Sequence, residues 1–405
     1  MGMGFTFDDT DTSGVASSLA EMRELIRRNP KNGDRIFPYI GGKEINTHPF
    51  LAHHRYVIDF SGMTFDEAAQ YPELLDIVRQ RVKTERDKIG GYSVAERRRE
   101  CWWHFGTATP ALNKAKASLE RVLVIARISN AFAVVFLPAN MVFNEKTLVF
   151  PVSTYSAFVN IQSRIHEIWA RFFGSTLKDD FQYTPSDCFE TFPFPAGVLE
   201  HASAHSATTD DGRLTTDNPQ LTALESAGRE YYEFRAALMV RNNEGLTKTY
   251  NRFHDPHERS PDILKLRELH AAMDRAVLEA YGWHDLAEKA TCEFLLDYED
   301  EEESVVSSPW SVAGTTDHGQ LTTDHQQLTT DHGQRTSRRK KPWRYRWPDD
   351  FRDEVLARLL ALNRERAEQE RLAGKAAAAA EKKNAARKPR GRKTARGGKE
   401  SPRLF

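Results

Sequence analysis

The chain has 405 residues, 40% hydrophobic and 28% charged, a composition typical of soluble globular proteins and long enough for two or three cores. Its 57 basic and 58 acidic side chains almost cancel, so net charge by itself excludes neither a nucleic acid nor a protein partner. Cys101, Cys188 and Cys292 stand far apart with no Cys-x-x-Cys pair, which argues against a disulfide framework or a zinc ribbon and fits a reducing cytoplasm.

Met1–Gly4 is not a basic segment leading into an apolar one, so no secretory signal is visible. The first globular segment runs from about Arg35 to Pro195 and reads as mixed α and β. Val122–Ile128 and Phe132–Leu137 are β-branched and aromatic runs split by Ser129-Asn130, the pattern of a hairpin of buried strands. The apolar run Val122–Leu137 is broken by Arg127 and Asn130 and is shorter than the roughly 20 residues a membrane helix needs. Leu148–Val152 predicts a third strand, ended by Pro151. Phe158, Ile161, Ile165, Ile168, Trp169 and Phe172 recur at helical spacing, predicting one helix over Phe158–Phe173 that stops at Gly174.

A second segment, Leu224–Tyr298, reads as helical, with Leu264, Leu266, Leu269, Met273 and Val277 on one face and Ser260-Pro261 as its start signal. A third, Pro348–Leu372, predicts another amphipathic helix through Val355, Leu356, Leu359, Leu360 and Leu362. Between the segments lie copies of one heptad, TTDHGQL, over Thr315–Arg335, with degenerate copies over Thr208–Leu221. Only one position per heptad is apolar, so a coiled coil is not expected; surface linkers are. Charge is segregated, with Asp297–Glu303 acidic and both Arg338–Arg346 and Lys382–Arg403 basic, an arrangement often seen where a protein meets a polyanion.

Catalytic constellations are absent from the sequence. No Pro-Pro dipeptide supplies the Asn/Asp-Pro-Pro-Tyr/Phe loop that an N6-adenine methyltransferase uses to hold a flipped base. Nor does a strand lead into a Gly-rich cofactor turn, and no nuclease, phosphate-loop or nucleophile-elbow motif stands at useful spacing. His254-Asp255-Pro256-His257 reads as a turn rather than a metal site. The basic stretch Lys83–His104 is the strongest binding feature. Lys83, Arg86, Lys88, Arg97, Arg98 and Arg99 crowd around Gly90-Gly91 and lead into Trp102-Trp103. Such arginines and lysines suit phosphate contacts, while the tryptophan pair reads as core.

An ordered set of short motifs carries a family resemblance: Pro38–Asn46, Arg55–Phe60, Tyr71-Pro72, Val82–Arg86, Trp102-Trp103, Gln162–Trp169 and Phe189–Pro195. Together they resemble the target-recognition domain of MmeI-type restriction–modification methyltransferases. Tyr250–His254, Leu266–His270 and Arg344–Pro348 resemble the helical part that follows. The resemblance implies an α+β fold, a β-rich recognition domain at 35–195 and a helical C-terminal domain at 224–300. It makes 1–34 the end of a methyltransferase domain with its linker, and 342–372 a later helix. The linkers are 196–223 and 301–341, and 373–405 is a basic, disordered tail. It also implies double-stranded DNA as the partner, with S-adenosylmethionine bound not on this chain but on a methyltransferase domain upstream or separately encoded. Base contacts are expected from Arg97, Arg98, Arg99 and Arg127, with phosphate contacts from Lys83, Arg86, Lys88 and Arg164. Asn130 suits either an adenine edge or a hairpin turn, Gly41-Gly42 a tight turn, and His166 and Trp169 structural roles. The surface of Lys83–His104 and the Val122–Leu137 hairpin is expected to lie against the bases. Two other readings remain open on sequence alone: a protein-binding scaffold of a defence complex, and a decayed methyltransferase fragment.

Overall fold

The computed structural model describes residues 2–91, 93–106, 109–129, 131–177, 180–203, 218–296 and 343–387. The heptad copies at Thr315–Arg335, most of those at Thr208–Leu221, and the end of the basic tail fall outside the described residues. The fold is α+β, built on two hydrophobic cores that share one sheet edge.

The smaller core forms beneath a four-stranded sheet of order β1-β3-β2-β6, in which β1 is Thr6–Phe7, β2 Ile36–Ile40, β3 Arg55–Ile58 and β6 Val142–Phe143. Phe5, Phe7, Val57, Ile58, Phe60, Leu74, Val78 and Trp102 fill it. Because β1 pairs with β3, Thr6 opposite Val57, residues expected to end a preceding domain are instead integral to this lobe.

The larger core packs around a three-stranded antiparallel sheet, order β5-β4-β7, of β4 (Arg121–Ala126), β5 (Val134–Pro138) and β7 (Thr147–Phe150). The predicted hairpin is β4–β5, Leu123 opposite Phe136. Val122–Ala126 and Val134–Leu137 are all buried, as expected of β-branched strands covered on both faces. Alternation along β2 joins the lobes. Tyr39 faces the smaller core and Ile40 the larger, since successive strand residues point to opposite sides.

The predicted helix over Phe158–Phe173 is two helices, Tyr155–Gln162 and Arg164–Phe173. Ser163 interrupts them in an extended conformation, and its Oγ accepts a bond from the His166 N–H. A serine at this position competes with the helix by capping the next one. Gly174 follows the second helix as its C-cap.

Helices downstream of residue 218 join this same core rather than building a separate one. The helix Pro219–Asn242 lies close against Tyr155–Gln162 at Gly228, where a Cβ would stand 2.5 Å from Val159 and 2.7 Å from the Tyr155 carbonyl. From that helix the buried Glu225 carboxylate accepts the Tyr155 and Ser156 N–H groups at 3.1 and 2.8 Å. A negative charge there satisfies orphan donors and complements the helix dipole. The helix Pro261–Ala280 buries Leu266, Leu269, Met273 and Val277 as expected, but Leu264 is exposed. The last helix, Asp349–Arg387, is longer than predicted and buries Val355 and Leu359. Among the described residues no helix is long and apolar enough to cross a membrane.

Candidate nucleic-acid interface

The Lys83–His104 stretch divides into a buried clamp and an exposed ridge. The helix Pro72–Val78 continues through a π-helical turn, Arg79–Lys83, into Thr84–Asp87, and this path turns Arg86 inward. Its Nη1 donates to the carbonyls of Trp102 and His104 at 3.1 and 2.7 Å, and its guanidinium stacks over Phe5. Burial pulls its pKa down to about 10. The expectation of a phosphate contact from Arg86 is therefore corrected: its donors hold the chain entering and leaving Trp102-Trp103. Trp102 is buried and Trp103 donates to the Met63 carbonyl at 3.0 Å, in keeping with the core reading.

On the outer side, the helix Ser93–Glu100 exposes Arg97, Arg98 and Arg99. Among the described residues no side-chain bond or ion pair engages them, so all three guanidinium groups face solvent. Lys83 and Lys88 are also accessible, but each is paired within its own helix or just after it, Lys83 with Asp87 at 2.7 Å and Lys88 with Glu85 at 2.8 Å. Surface pairs of this kind are worth little and exchange easily for a phosphate.

Two other expectations fail on burial. The β4–β5 hairpin cannot lie against bases, because its strands fill the larger core from both sides. Arg164 is not a phosphate contact either. It is 4% exposed and donates to Asp274 at 2.5 Å and to the Tyr345 carbonyl at 3.2 Å. Burial opposes ionisation of Asp274, but His270 and Arg164 outweigh it and keep the carboxyl below its usual range. His166 and Trp169 are buried as expected. The His166 Nε2 meets the Tyr183 hydroxyl at 2.8 Å, and burial lowers the imidazole pKa to about 3.

The turn end of the hairpin is half-buried where the chain leaves β4. Beyond β4 the chain runs beside β9 (Asp180–Gln182, paired with β8, Ser175–Leu177), with the Ser129 N–H donating to the Phe181 carbonyl. Arg127 sits at this exit. Its N–H donates to the Lys146 carbonyl at 2.8 Å and its carbonyl accepts from Tyr183 at 3.0 Å. The Arg127 Nε has no hydrogen-bond partner among the described residues. Asn130 lies outside the described residues.

The Asn144–Lys146 turn, which joins β6 to β7, closes against the same place, its Asn144 Oδ1 accepting from the Lys146 N–H at 2.9 Å. Gly41 and Gly42 complete the cluster. A Cβ on Gly41 would meet Asn144 Nδ2 at 2.3 Å, and one on Gly42 the Lys146 carbonyl at 3.1 Å. Their φ values need no glycine, so the expected tight turn is corrected to a close backbone approach, with Gly41 capping the helix Gly42–Thr47. Exposed Lys43 and Lys146, half-buried Asn144 and Arg127 thus converge from three separate segments. Polar loops fixed on a rigid sheet are where recognition residues concentrate. Lys43, Asn144 and Lys146 carry no local sequence signal; the parallel pairing of β2 with β6 and the antiparallel pairing of β4 with β7 bring their segments together.

No group of three or more His, Cys, Asp or Glu side chains among the described residues is arranged to hold a metal. His254–His257 is a turn, with the Asp255 carboxylate accepting the His257 N–H.

A family model, the target recognition domain of MmeI, matches residues 2–196. Residues 2–196 are thus similar to the MmeI target recognition domain. The match begins at residue 2 and so includes β1, which lies inside the sheet. Among solved structures, the chain is similar to the type IIL restriction-modification enzyme MmeI, whose structure was determined in complex with DNA. Identity is 20% and the TM-score 0.48, over 69% of this chain and 31% of that one. The chain therefore spans about a third of the length of MmeI. No curated protein matches.

Proposed function

We propose that this chain is the sequence-specific DNA-recognition module of a site-specific adenine-N6 methyltransferase of the restriction–modification, phage-defence kind. The observation that carries the reading is the match of residues 2–196 to the MmeI target recognition domain. The exposed arginines of Ser93–Glu100 and the loop cluster at the turn end of the β4–β5 hairpin support it.

The two features suit different tasks. Arg97, Arg98 and Arg99, with Lys83 and Lys88 behind them, supply phosphate contacts that fix register and make affinity depend on salt. Arg127, Lys43, Asn144 and Lys146 supply the donors and acceptors that distinguish base edges in the major groove. Methyl transfer from S-adenosylmethionine belongs, on this reading, to a methyltransferase domain elsewhere in the enzyme or on a separate polypeptide, working with DNA in the cytoplasm.

The reading is tested by selecting binders from a randomised duplex library with the purified chain. Recovery of one short motif, bound with an affinity that falls steeply with salt, is the expected result. Absence of salt-dependent duplex binding at low ionic strength would overturn it.

A further inference from the structure

The loop cluster of Lys43, Asn144, Lys146 and Arg127 is anchored by a buried charge. Glu44 is the third residue of the helix Gly42–Thr47 and is only 6% exposed. Its Oε2 accepts the Gly41 N–H at 3.1 Å, as the glutamate of a capping box does. Its Oε1 accepts from Arg55 Nη2 at 2.7 Å, with His54 Nδ1 further off at 3.7 Å. Arg55, the first residue of β3, is itself held over the Tyr39 ring, 4.9 Å from its centroid. A helix cap needs only the first of these bonds; the second ties the cap to the sheet.

What the carboxylate holds is one peptide group. The Gly41 N–H and the Ile40 C=O belong to the same planar unit, and that carbonyl accepts the Asn144 N–H at 3.1 Å. The bonds therefore run in series, from Arg55 to Glu44, from Glu44 to the Ile40–Gly41 peptide, and from that peptide to Asn144. Away from water, members of such a series polarise and strengthen one another. Beyond Asn144 the series reaches the rest of the cluster. Asn144 Oδ1 accepts the Lys146 N–H at 2.9 Å, and the Lys146 carbonyl accepts the Arg127 N–H at 2.8 Å. The fit at Gly41 is close, since a Cβ there would stand 2.3 Å from Asn144 Nδ2.

We propose that Glu44, braced by Arg55, is a positioning residue for base recognition: it touches no base, but fixes the Ile40–Gly41 peptide and through it the places of Asn144, Lys146 and Arg127. The proposal rests on the recognition function proposed above. A carboxylate suits this task because both of its oxygens accept. Glutamine at this position has one acceptor oxygen for two donors, so its NH2 must face either the Gly41 N–H or the Arg55 guanidinium, and one bond is lost.

The test is equilibrium binding of the full chain to the duplex selected from the library and to its single-mismatch relatives, over a range of salt. In Glu44→Gln the ratio of cognate to mismatch affinity should fall about tenfold, while the salt slope stays at its wild-type value because no phosphate contact is removed. Gly41→Ala keeps the Glu44–Arg55 pair and displaces Asn144 directly, so it should lower the ratio in the same way, and it serves if Glu44→Gln does not fold. Glu225→Gln is the control for a merely structural role. That buried carboxylate also accepts two backbone N–H groups, but those of Tyr155 and Ser156, outside the cluster, so the variant should keep the wild-type ratio. An unchanged ratio in Glu44→Gln, or in Gly41→Ala should the first not fold, overturns the proposal, as does an equal fall in Glu225→Gln; in either case recognition itself still stands. A wild-type chain that prefers no duplex over another would instead overturn the recognition function, and this proposal with it.

Discussion

The ridge Ser93–Glu100 and the junction around Arg164 are both arginine-bearing helical segments, and the protein puts them to opposite uses. Arg97, Arg98 and Arg99 extend into solvent, whereas Arg164 is enclosed by Asp274, His270 and the Tyr345 carbonyl. Arg86, a few residues before the ridge, belongs with the enclosed kind. An arginine's part in binding is thus decided by where its donors end. Those consumed by carbonyls and carboxylates hold the fold, and only the others are available to a polyanion.

The largest effect that would break this comparison is at Arg164. Arg164→Ala leaves the Asp274 carboxylate buried without its cation, and chemical denaturation should show a loss of about 3–5 kcal/mol. A loss below about 1 kcal/mol would mean that the junction is more hydrated than its geometry implies. Arg86→Ala removes a guanidinium bonded to the Trp102 and His104 carbonyls and should cost roughly 2–3 kcal/mol, again by denaturation, because charge-assisted bonds vanish and carbonyls are left unmet. If its effect fell instead on DNA affinity, with stability intact, Arg86 would belong to the ridge.

Acid should act on the histidines of the enclosed region. The buried His166, whose pKa lies at about 3, is neutral in the folded protein but titrates near 6.5 once unfolded. The unfolded chain therefore binds more protons between these values, and stability falls as pH drops from about 6.5 towards 3, while above 6.5 this group contributes no pH dependence. His254 and His270, also lowered by burial, act in the same direction. Denaturation midpoints measured at pH 7 and pH 5 should differ less in His166→Gln than in the wild type.

The ridge should respond in the opposite way. Gln at Arg97, Arg98 and Arg99 together should leave stability within about 0.5 kcal/mol of wild type, as exposed substitutions do. The salt slope of DNA binding should fall by about one for each phosphate that is no longer neutralised. At the loop cluster, Lys146→Ala should relax preference at a single base position by roughly 1–3 kcal/mol, read by competition between cognate and single-mismatch duplexes.

Legibility in the sequence followed the range of the signal. The β4–β5–β7 run, the Gly174 stop, the Ser260-Pro261 start and the structural roles of Trp102, His166 and Trp169 rest on local patterns, and the structure bears them out. The break at Ser163 was hidden because apolar spacing continues across it, while capping depends on a single hydroxyl. The strand Trp343–Arg346 reads as a basic segment until Glu293–Leu296, some 50 residues upstream, is seen beside it. Burial of Arg86 and Arg164 left no local trace, since their partners Trp102, His104, Asp274 and Tyr345 lie 16 to 181 residues away. The loop cluster is non-local for the same reason.

Duplex binding by the wild-type chain and by the Arg97/Arg98/Arg99→Gln variant, measured from low to moderate salt, tests the division between enclosed and exposed arginines most directly. Salt-sensitive, sequence-selective binding by the wild type is predicted, with a shallower salt slope and unchanged melting in the variant. Identical binding curves for the two proteins, or no binding by either, would contradict it.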